Sequence, residues 1–229
     1  MTTVRTPRYF FTGDFSAFHE YFLSRPHGRR SFARGEFLWP PGEPFGRMHY
    51  ILSGAARCCV EHENGRRKII SFHGAGTLFP VYHERDYRIE LAITTEALSP
   101  VETLEFSKAD FRAMFRENGA LAAALVEWYA SYVNLLLYET AHQEYNGSFL
   151  KLCNLLYLLA PAGDLDAVTQ EELADILGTS RVNLTRGLAQ LRNEGVVRTR
   201  RGRVEIADRE ALARRCSLET VEPDSEAIL

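Results

Sequence analysis

Three kinds of hydrophobic spacing succeed one another along the chain. From about Arg30 to Glu105 apolar residues alternate with polar ones or run together over strand lengths, as in GEFLWPPGE, MHYILSGAARCCVEHENGRRKIISF and VETLEF. Glycines at Gly35, Gly42, Gly54, Gly65, Gly74 and Gly76 punctuate them, and Asn64-Gly65 is a hairpin signal. Short strands cut by turn glycines predict a small antiparallel roll or barrel. Ahead of it lies an aromatic stretch (Tyr9, Phe10, Phe11, Phe15, Phe18, Tyr21, Phe22), dense enough to dock on the roll rather than to trail free.

After the roll the spacing becomes helical. Ser107 to Asn118 reads as a short helix and Gly119 to Gln143 as a long one. In the long helix Leu121, Leu125, Trp128, Tyr132, Leu135, Glu139 and His142 alternate steps of four and three, as a coiled seam does. A second stripe of Ala122, Val126, Tyr129, Val133 and Leu136 makes it apolar on two sides, so that one side can meet a partner subunit and the other the roll. The alternative is a helix buried within a monomer. Glu144-Tyr145-Asn146-Gly147 breaks the pattern and reads as a hinge, and an apolar helix follows from Ser148 to Ala160, stopped by Pro161-Ala162-Gly163.

The third pattern, TQEELADILGTSRVNLTRGLAQLRNEGVVRTRRGR, starts at a capping box of Thr169 and Glu172. Leu173, Ile176 and Leu177 form one apolar stripe, Ala174 is small enough for a close helix crossing, Gly178 supplies a tight turn and Ser180 caps the next helix. There Leu184, Leu188 and Leu191 point inward, leaving Val182, Arg186, Ala189 and Asn193 outward with Arg181, Asn183, Thr185 and Gln190 at the flanks. Alternation around Arg201-Gly202 then reads as a two-stranded wing with Arg198, Arg200, Arg201 and Arg203. An outward surface of Arg, Asn, Thr and Gln suits phosphates and base edges, and the pattern predicts a winged helix-turn-helix that binds DNA. The competing reading is a packed helical pair with a solvated basic face.

The formal net charge of −3 argues against nucleic acid, but the charge is unevenly placed. Thr179 to Arg215 holds ten arginines against four acids (Glu194, Glu205, Asp208, Glu210), the local footprint of a DNA-binding module. Glu219 to Glu226 is acidic and reads as a frayed tail. No leader pattern is recognised and no apolar run reads as long enough to span a bilayer, so the expectation is a cytoplasmic protein without membrane contact. Cys58, Cys59, Cys153 and Cys216 lack metal-ligand spacing; thiols buried or half-buried are expected, with a redox switch as the lesser alternative, and Cys58 and Cys59 should point to opposite faces of a strand.

The order of roll, long helix, helix-turn-helix and wing, with YILSGAARCCVEHENGRRKIISFHGAGTLF in the roll and QEELADILGTSRVNLTRGLAQLRNEGVV behind it, resembles the CRP/FNR family of bacterial transcription regulators. The resemblance implies an α+β fold: an N-terminal antiparallel β-roll like cyclic-nucleotide-binding and cupin-like domains, a long dimerisation helix, and a C-terminal winged helix-turn-helix. The boundaries expected are 1–118, 119–145 and 146–229. It implies a homodimer on a palindromic operator, half-sites about 34 Å apart, RNA polymerase as a further partner, a small-molecule effector, no cofactor and no enzymatic activity. Within the family, GTLFP and YETAHQEYNGSFLKLCNLLYLL are similar to the subgroup that senses chlorinated phenols and controls halorespiration genes.

Departures matter as much. Members that bind cyclic AMP carry a Gly-Glu pair and an Arg followed by Ser or Thr; Thr77-Leu78 after Gly76, and Ile89-Glu90-Leu91-Ala92, omit both, so a cyclic nucleotide is disfavoured. No cysteine precedes Cys58, unlike iron-sulfur members. At the DNA site the resemblance implies phosphate contacts from Thr179 and Ser180 and guanine contacts from Arg181 and Arg186, with Asn183, Thr185, Arg200 and Arg201 alongside. Relatives commonly have Glu after Arg181, where Val182 offers only apolar contact, and Gly187 stands where an apolar packing residue is expected. For the effector the candidates are Phe79, Tyr82, His83, Arg85 and Tyr87 facing Trp128, Ser131 and Tyr132, aromatic walls suited to an aromatic acid or phenol, although each singly reads equally as core. A haem sensor would need an axial ligand such as His73 or His83, a cupin enzyme a His-x-His absent beside the His62-Glu63 and His83-Glu84 pairs, and a constitutive DNA-binding protein no ligand.

Overall fold

The computed structural model describes residues 5–80, 82–160, 165, 168–200 and 203–221. Contacts divide the chain into two compact units, one from Tyr9 to Ala130 and one from Ser131 onward with the stretch ending at Arg8.

The first unit is the expected roll. One sheet is ordered β2 (Gly28–Phe32), β9 (Val101–Ser107), β4 (Arg47–Ser53), β7 (Leu78–Phe79); the other is β1 (Phe10–Phe11), β6 (Arg67–Gly74), β5 (Ala55–Glu61), β8 (Ile93–Ala97), β3 (Phe37–Trp39). Every pairing is antiparallel except β1 on β6. The Asn64-Gly65 turn joins β5 to β6, with the Asn64 side chain accepting from the Arg66 amide at 3.1 Å.

Alternation in β4 and β9 sends successive cross-strand pairs to alternate faces. Tyr50 and Phe106 lie against Phe22 at 4.7 and 5.7 Å, and Phe106 against Phe111, so this face is covered by α1 (His19–Leu23) and α2 (Lys108–Glu117). His49 and Thr103 look the other way, into the roll, where Phe32 and Trp39 meet the His49 ring. The aromatic N-terminal stretch docks as expected: Phe10 stacks on Phe72 at 4.4 Å, and Tyr9, Phe11, Phe15 and Phe22 are buried. Cys58 and Cys59 are both buried, on either side of a register shift that pairs them with Ser71 and Ile69.

The long helix α3 (Gly119–Tyr145) crosses from one unit to the other. Its first stripe is buried within the chain at Leu121, Leu125 and Trp128 in the first unit and at Leu135, Glu139 and His142 in the second. Its second stripe is open in part: Val126, Val133 and Leu136 are exposed, joined by Leu137 at 66%, while Ala122 and Tyr129 are half-buried. This double apolar character corrects one expectation, since by length and composition the helix is apolar enough to cross a bilayer. The two stripes summed, rather than either alone, produce that hydropathy.

In the second unit α4 (Ser148–Leu159), α5 (Gln170–Leu177), α6 (Arg181–Asn193) and α7 (Arg209–Ala213) enclose a core of Leu152, Leu156, Leu173, Ile176, Leu184, Leu188, Leu191 and Leu212. A hairpin of β10 (Val197–Arg200) and β11 (Arg203–Ile206) forms the wing; its turn, Arg201-Gly202, lies outside the described residues.

Two expectations change here. The break between α3 and α4 is braced: the Lys151 ammonium donates to the Gln143 carbonyl and side chain, both at 2.9 Å, and Asn154 and Asn146 reach the His142 ring, each at 3.3 Å. The acidic tail also begins as ordered chain. Thr220 is fully buried, its hydroxyl 2.9 Å from that of Tyr138 and 3.1 Å from that of Ser217, while Ser217 accepts from Asn154 at 2.7 Å. Small hydroxyls with nearby partners hold a segment that net charge alone would release.

Candidate functional site

The nucleic-acid interface is assembled from local chemistry. Thr169 accepts from the Glu172 amide and the Glu172 carboxylate accepts from the Thr169 amide, closing the capping box of α5. Gly178 ends that helix at φ 61°, a left-handed conformation that favours glycine, and the Thr179 amide donates back to Ala174 at 3.0 Å. Ser180 caps α6 by accepting from the Asn183 amide. These turns aim α6 so that Leu184, Leu188 and Leu191 are buried while Arg181, Val182, Asn183, Thr185 and Arg186 are exposed.

Arg181, Val182, Thr185, Arg186 and Ala189 line one shallow, open depression on α6. Arg198, Arg200 and Arg203 are exposed on the wing; Arg201 lies outside the described residues. Arg181 is ion-paired to Glu171 of α5, both side chains being more than half exposed, a partner that sequence spacing did not reveal. An exposed pair of this kind is held weakly and exchanges readily for a phosphate or a base.

Gly187, unexplained in the sequence, sits at the crossing of α4 and α6. A Cβ there would lie 2.7 Å from Leu152 Cδ2, so the absent side chain lets the recognition helix seat on the core.

In the first unit the candidate effector residues separate. Phe79 is buried and stacked on His73 at 4.0 Å, and Trp128 meets His73 and Phe11 at 6.2 and 5.2 Å, so both are core residues at the end of the roll. Tyr82 is half-buried against Phe111 and Phe115, bonded to Glu84 and Arg112, and its carbonyl accepts from the Tyr129 hydroxyl at 2.7 Å. Arg85 and Tyr87 are exposed. Ser131 and Tyr132 belong to the second unit, where the Ser131 hydroxyl accepts from Arg8 at 3.3 Å. His83 does face inward: its Nε2 lies 3.2 Å from Glu90 and its ring 6.1 Å from Phe45.

Sequence reasoning missed the polar lining of the roll. His49 is paired to Thr103 at 3.0 Å, Ser71 to His73 at 2.9 Å, and Thr95 and Glu90 are buried as well. Burial, only partly offset by nearby Glu105, lowers the His49 pKa to about 4, so it is neutral at pH 7. Burial, reinforced by the acidic groups of Glu90 and Tyr87 nearby, raises the Tyr129 hydroxyl to about 12. The only hint was Glu90 standing alone between Ile89 and Leu91, noticed as a missing phosphate contact rather than as a group in its own right. Burial also raises the Cys153 and Cys216 thiols to about 11 and about 12, leaving both protonated and weakly nucleophilic at neutral pH. His73 is wedged between Phe79 and Phe11, with its Nε2 engaged by Ser71.

A model of the cyclic nucleotide-binding domain matches residues 29–118, and one of the Crp-like helix-turn-helix domain matches residues 150–215. The chain is 28% identical over 187 residues to the Cyclic AMP receptor protein of Thermus thermophilus, covering 79% of this chain and 84% of that one. It is 27% identical over 198 residues to the CRP-like protein Clp of Xanthomonas campestris, with the same coverage. Among solved structures the c-di-GMP responsive regulator CLP of Xanthomonas campestris superposes with a TM-score of 0.72 at 19% identity, covering 84% of this chain and 99% of that chain. CprK complexed with OCPA superposes with a TM-score of 0.70 at 21% identity, covering 86% of this chain and 92% of that chain. A sensor roll, a long helix and a winged helix-turn-helix are thus joined as in those regulators, and the chain belongs to the CRP/FNR family of DNA-binding transcription regulators.

Proposed function

We propose that the chain acts in the cytoplasm as a homodimeric regulator whose roll binds a small aromatic or phenolic effector, not a cyclic nucleotide, and thereby adjusts operator binding. The observation that carries the DNA half is the face of α6, where Arg181, Val182, Thr185 and Arg186 are exposed together beside a basic wing. Arg186 and Arg181 supply bidentate contacts to guanine, Val182 an apolar contact such as a thymine methyl, Thr179 and Ser180 phosphate contacts, and Asn183, Thr185, Arg200 and Arg201 the flanks. The open stripe of Val126, Val133, Leu136 and Leu137 on α3 supports dimerisation, since a palindromic operator needs two recognition helices related by a two-fold axis. RNA polymerase is the further partner such a regulator meets at a promoter.

Val182 means that the relatives' operator does not transfer, so the site is first selected from random duplex DNA and then titrated with and without aromatic effectors. Arg186→Ala should cost about 1–3 kcal/mol and relax preference at one base pair, whereas Arg200→Ala should weaken all sequences alike and lower the salt slope by about one. Identical behaviour of the two variants sinks this division of roles, and operator affinity unchanged by every aromatic tested sinks the gating.

A further inference from the structure

Glu90 lies at the inner end of the segment between β7 and β8, 5% exposed. Its two carboxyl oxygens have different surroundings. Oε1 faces His83 Nε2 at 3.2 Å, while Oε2 is buried with no hydrogen-bond partner among the described residues.

One ring hydrogen can be placed. His83 Nδ1 is 2.6 Å from the Arg85 carbonyl, which can only accept, so Nδ1 carries a hydrogen. Oε2, on the far side of the carboxyl group from His83, is left without a donor, a costly arrangement in a dry interior.

Aromatic rings continue from this point. His83 meets Phe45, Phe45 meets Trp39 at 5.1 Å and Phe79 at 6.3 Å, and Trp39 pairs across the sheet with Thr95, whose buried hydroxyl also has no partner among the described residues. Of the cations on this part of the chain, Arg112 is held on Glu84 at 2.6 Å and Lys108 on Asp86 at 2.5 Å, while Arg85 and Arg88 are exposed.

We infer that Glu90 is the specificity-determining acceptor of the roll, and that it selects an aromatic ligand carrying an uncharged hydrogen-bond donor, a phenolic O–H or an aryl N–H, over carboxylates and phosphates. A carboxylate or phosphodiester anion brings only acceptors and leaves Oε2 unsatisfied beside a second oxygen. A neutral donor completes Oε2, and the ring lies on the apolar patch of Trp39, Phe45 and Phe79. This inference deepens the proposed effector reading and rests on it, narrowing an aromatic acid or phenol to the donor-bearing phenol or amine.

The test uses the full chain and four probes, p-chlorophenol, p-chloroanisole, p-chlorobenzoate and cyclic AMP, with binding measured by calorimetry and by tryptophan fluorescence. The phenol should bind about tenfold or more tighter than its methyl ether, and the two anions more weakly still. Glu90→Leu should collapse the phenol-to-ether ratio to about one by weakening the phenol alone, while Glu90→Gln, which keeps the shape and an acceptor oxygen, should retain part of it. Circular dichroism confirms that both variants are folded. Tighter binding of the benzoate or of cyclic AMP, an unchanged ratio in a folded Glu90→Leu, or no binding of the phenol up to about 1 mM overturns the inference. Selective phenol binding that leaves operator affinity unchanged would instead defeat the gating proposal and leave Glu90's role intact, whereas an anion that binds and alters operator affinity would do the reverse.

Discussion

Replacing Gly187 by alanine sets two effects of opposite sign against each other. In a helix interior alanine is favoured over glycine by about 1 kcal/mol. The new Cβ, however, falls 2.7 Å from Leu152 Cδ2 and 3.7 Å from Phe149 Cδ2. Ordinary carbon contacts lie at about 3.5–4.0 Å, so Leu152, 2% exposed and enclosed by α4 and α6, must retreat by about 1 Å. Overpacking of that kind costs about 1–3 kcal/mol, and the net expectation is a loss on the order of 1 kcal/mol. Urea denaturation of the full chain measures it, and a second background separates the terms. Leu152→Ala alone should cost about 2–5 kcal/mol. In that background the clash is gone, and Gly187→Ala should become neutral or stabilising by up to about 1 kcal/mol, a coupling of about 1–2 kcal/mol. Stabilisation by the full propensity gain in the wild-type background, or an equal effect in both backgrounds, would refute the assignment of Gly187 to the helix crossing.

Glu171→Gln releases Arg181 from its exposed partner and should raise operator affinity by up to about fivefold without altering stability; a fall in affinity in gel-shift titrations would count against Arg181 as a DNA contact. Leu137→Glu, on the open stripe of α3, should shift the chain toward monomer in sedimentation and weaken operator binding, and an unchanged mass would remove that stripe from the dimer proposal. His49 is neutral in the fold, with a pKa of about 4 against the usual 6.5, so the unfolded chain binds the extra proton between those values. Stability should therefore be undiminished above about pH 6.5, fall as pH drops, and reach its full loss of about 3 kcal/mol below the folded pKa; if His49→Gln leaves that slope in place, the histidine is not its source.

Legibility differed between the two ends of the chain because the interactions differ in range. The capping box at Thr169, the cap at Ser180 and the left-handed Gly178 are decided by residues three or four positions apart, and all stand where the spacing put them. Gly187 and Glu90 were not legible, since Leu152 and Tyr129 become their neighbours only once distant elements pack. The long helix misled in another way. Judged stripe by stripe it is amphipathic twice over, and only the sum of its two apolar sides matches the composition of a membrane span. Thr220 shows the same limit in the tail, where an acidic run concealed one hydroxyl that Tyr138 and Ser217 hold inside.

The brace around the α3–α4 break determines where the chain can be dissected. A DNA-binding fragment cut at Asn146, where the helix breaks, would discard Tyr138 and His142 and strand Thr220 and Asn154, both 0% exposed, without those partners. A cut before Ser131 carries the last turns of α3 along and keeps every one of those bonds, so the smallest portable reader of DNA includes half of the helix that the sequence sets apart from it as a dimerisation element.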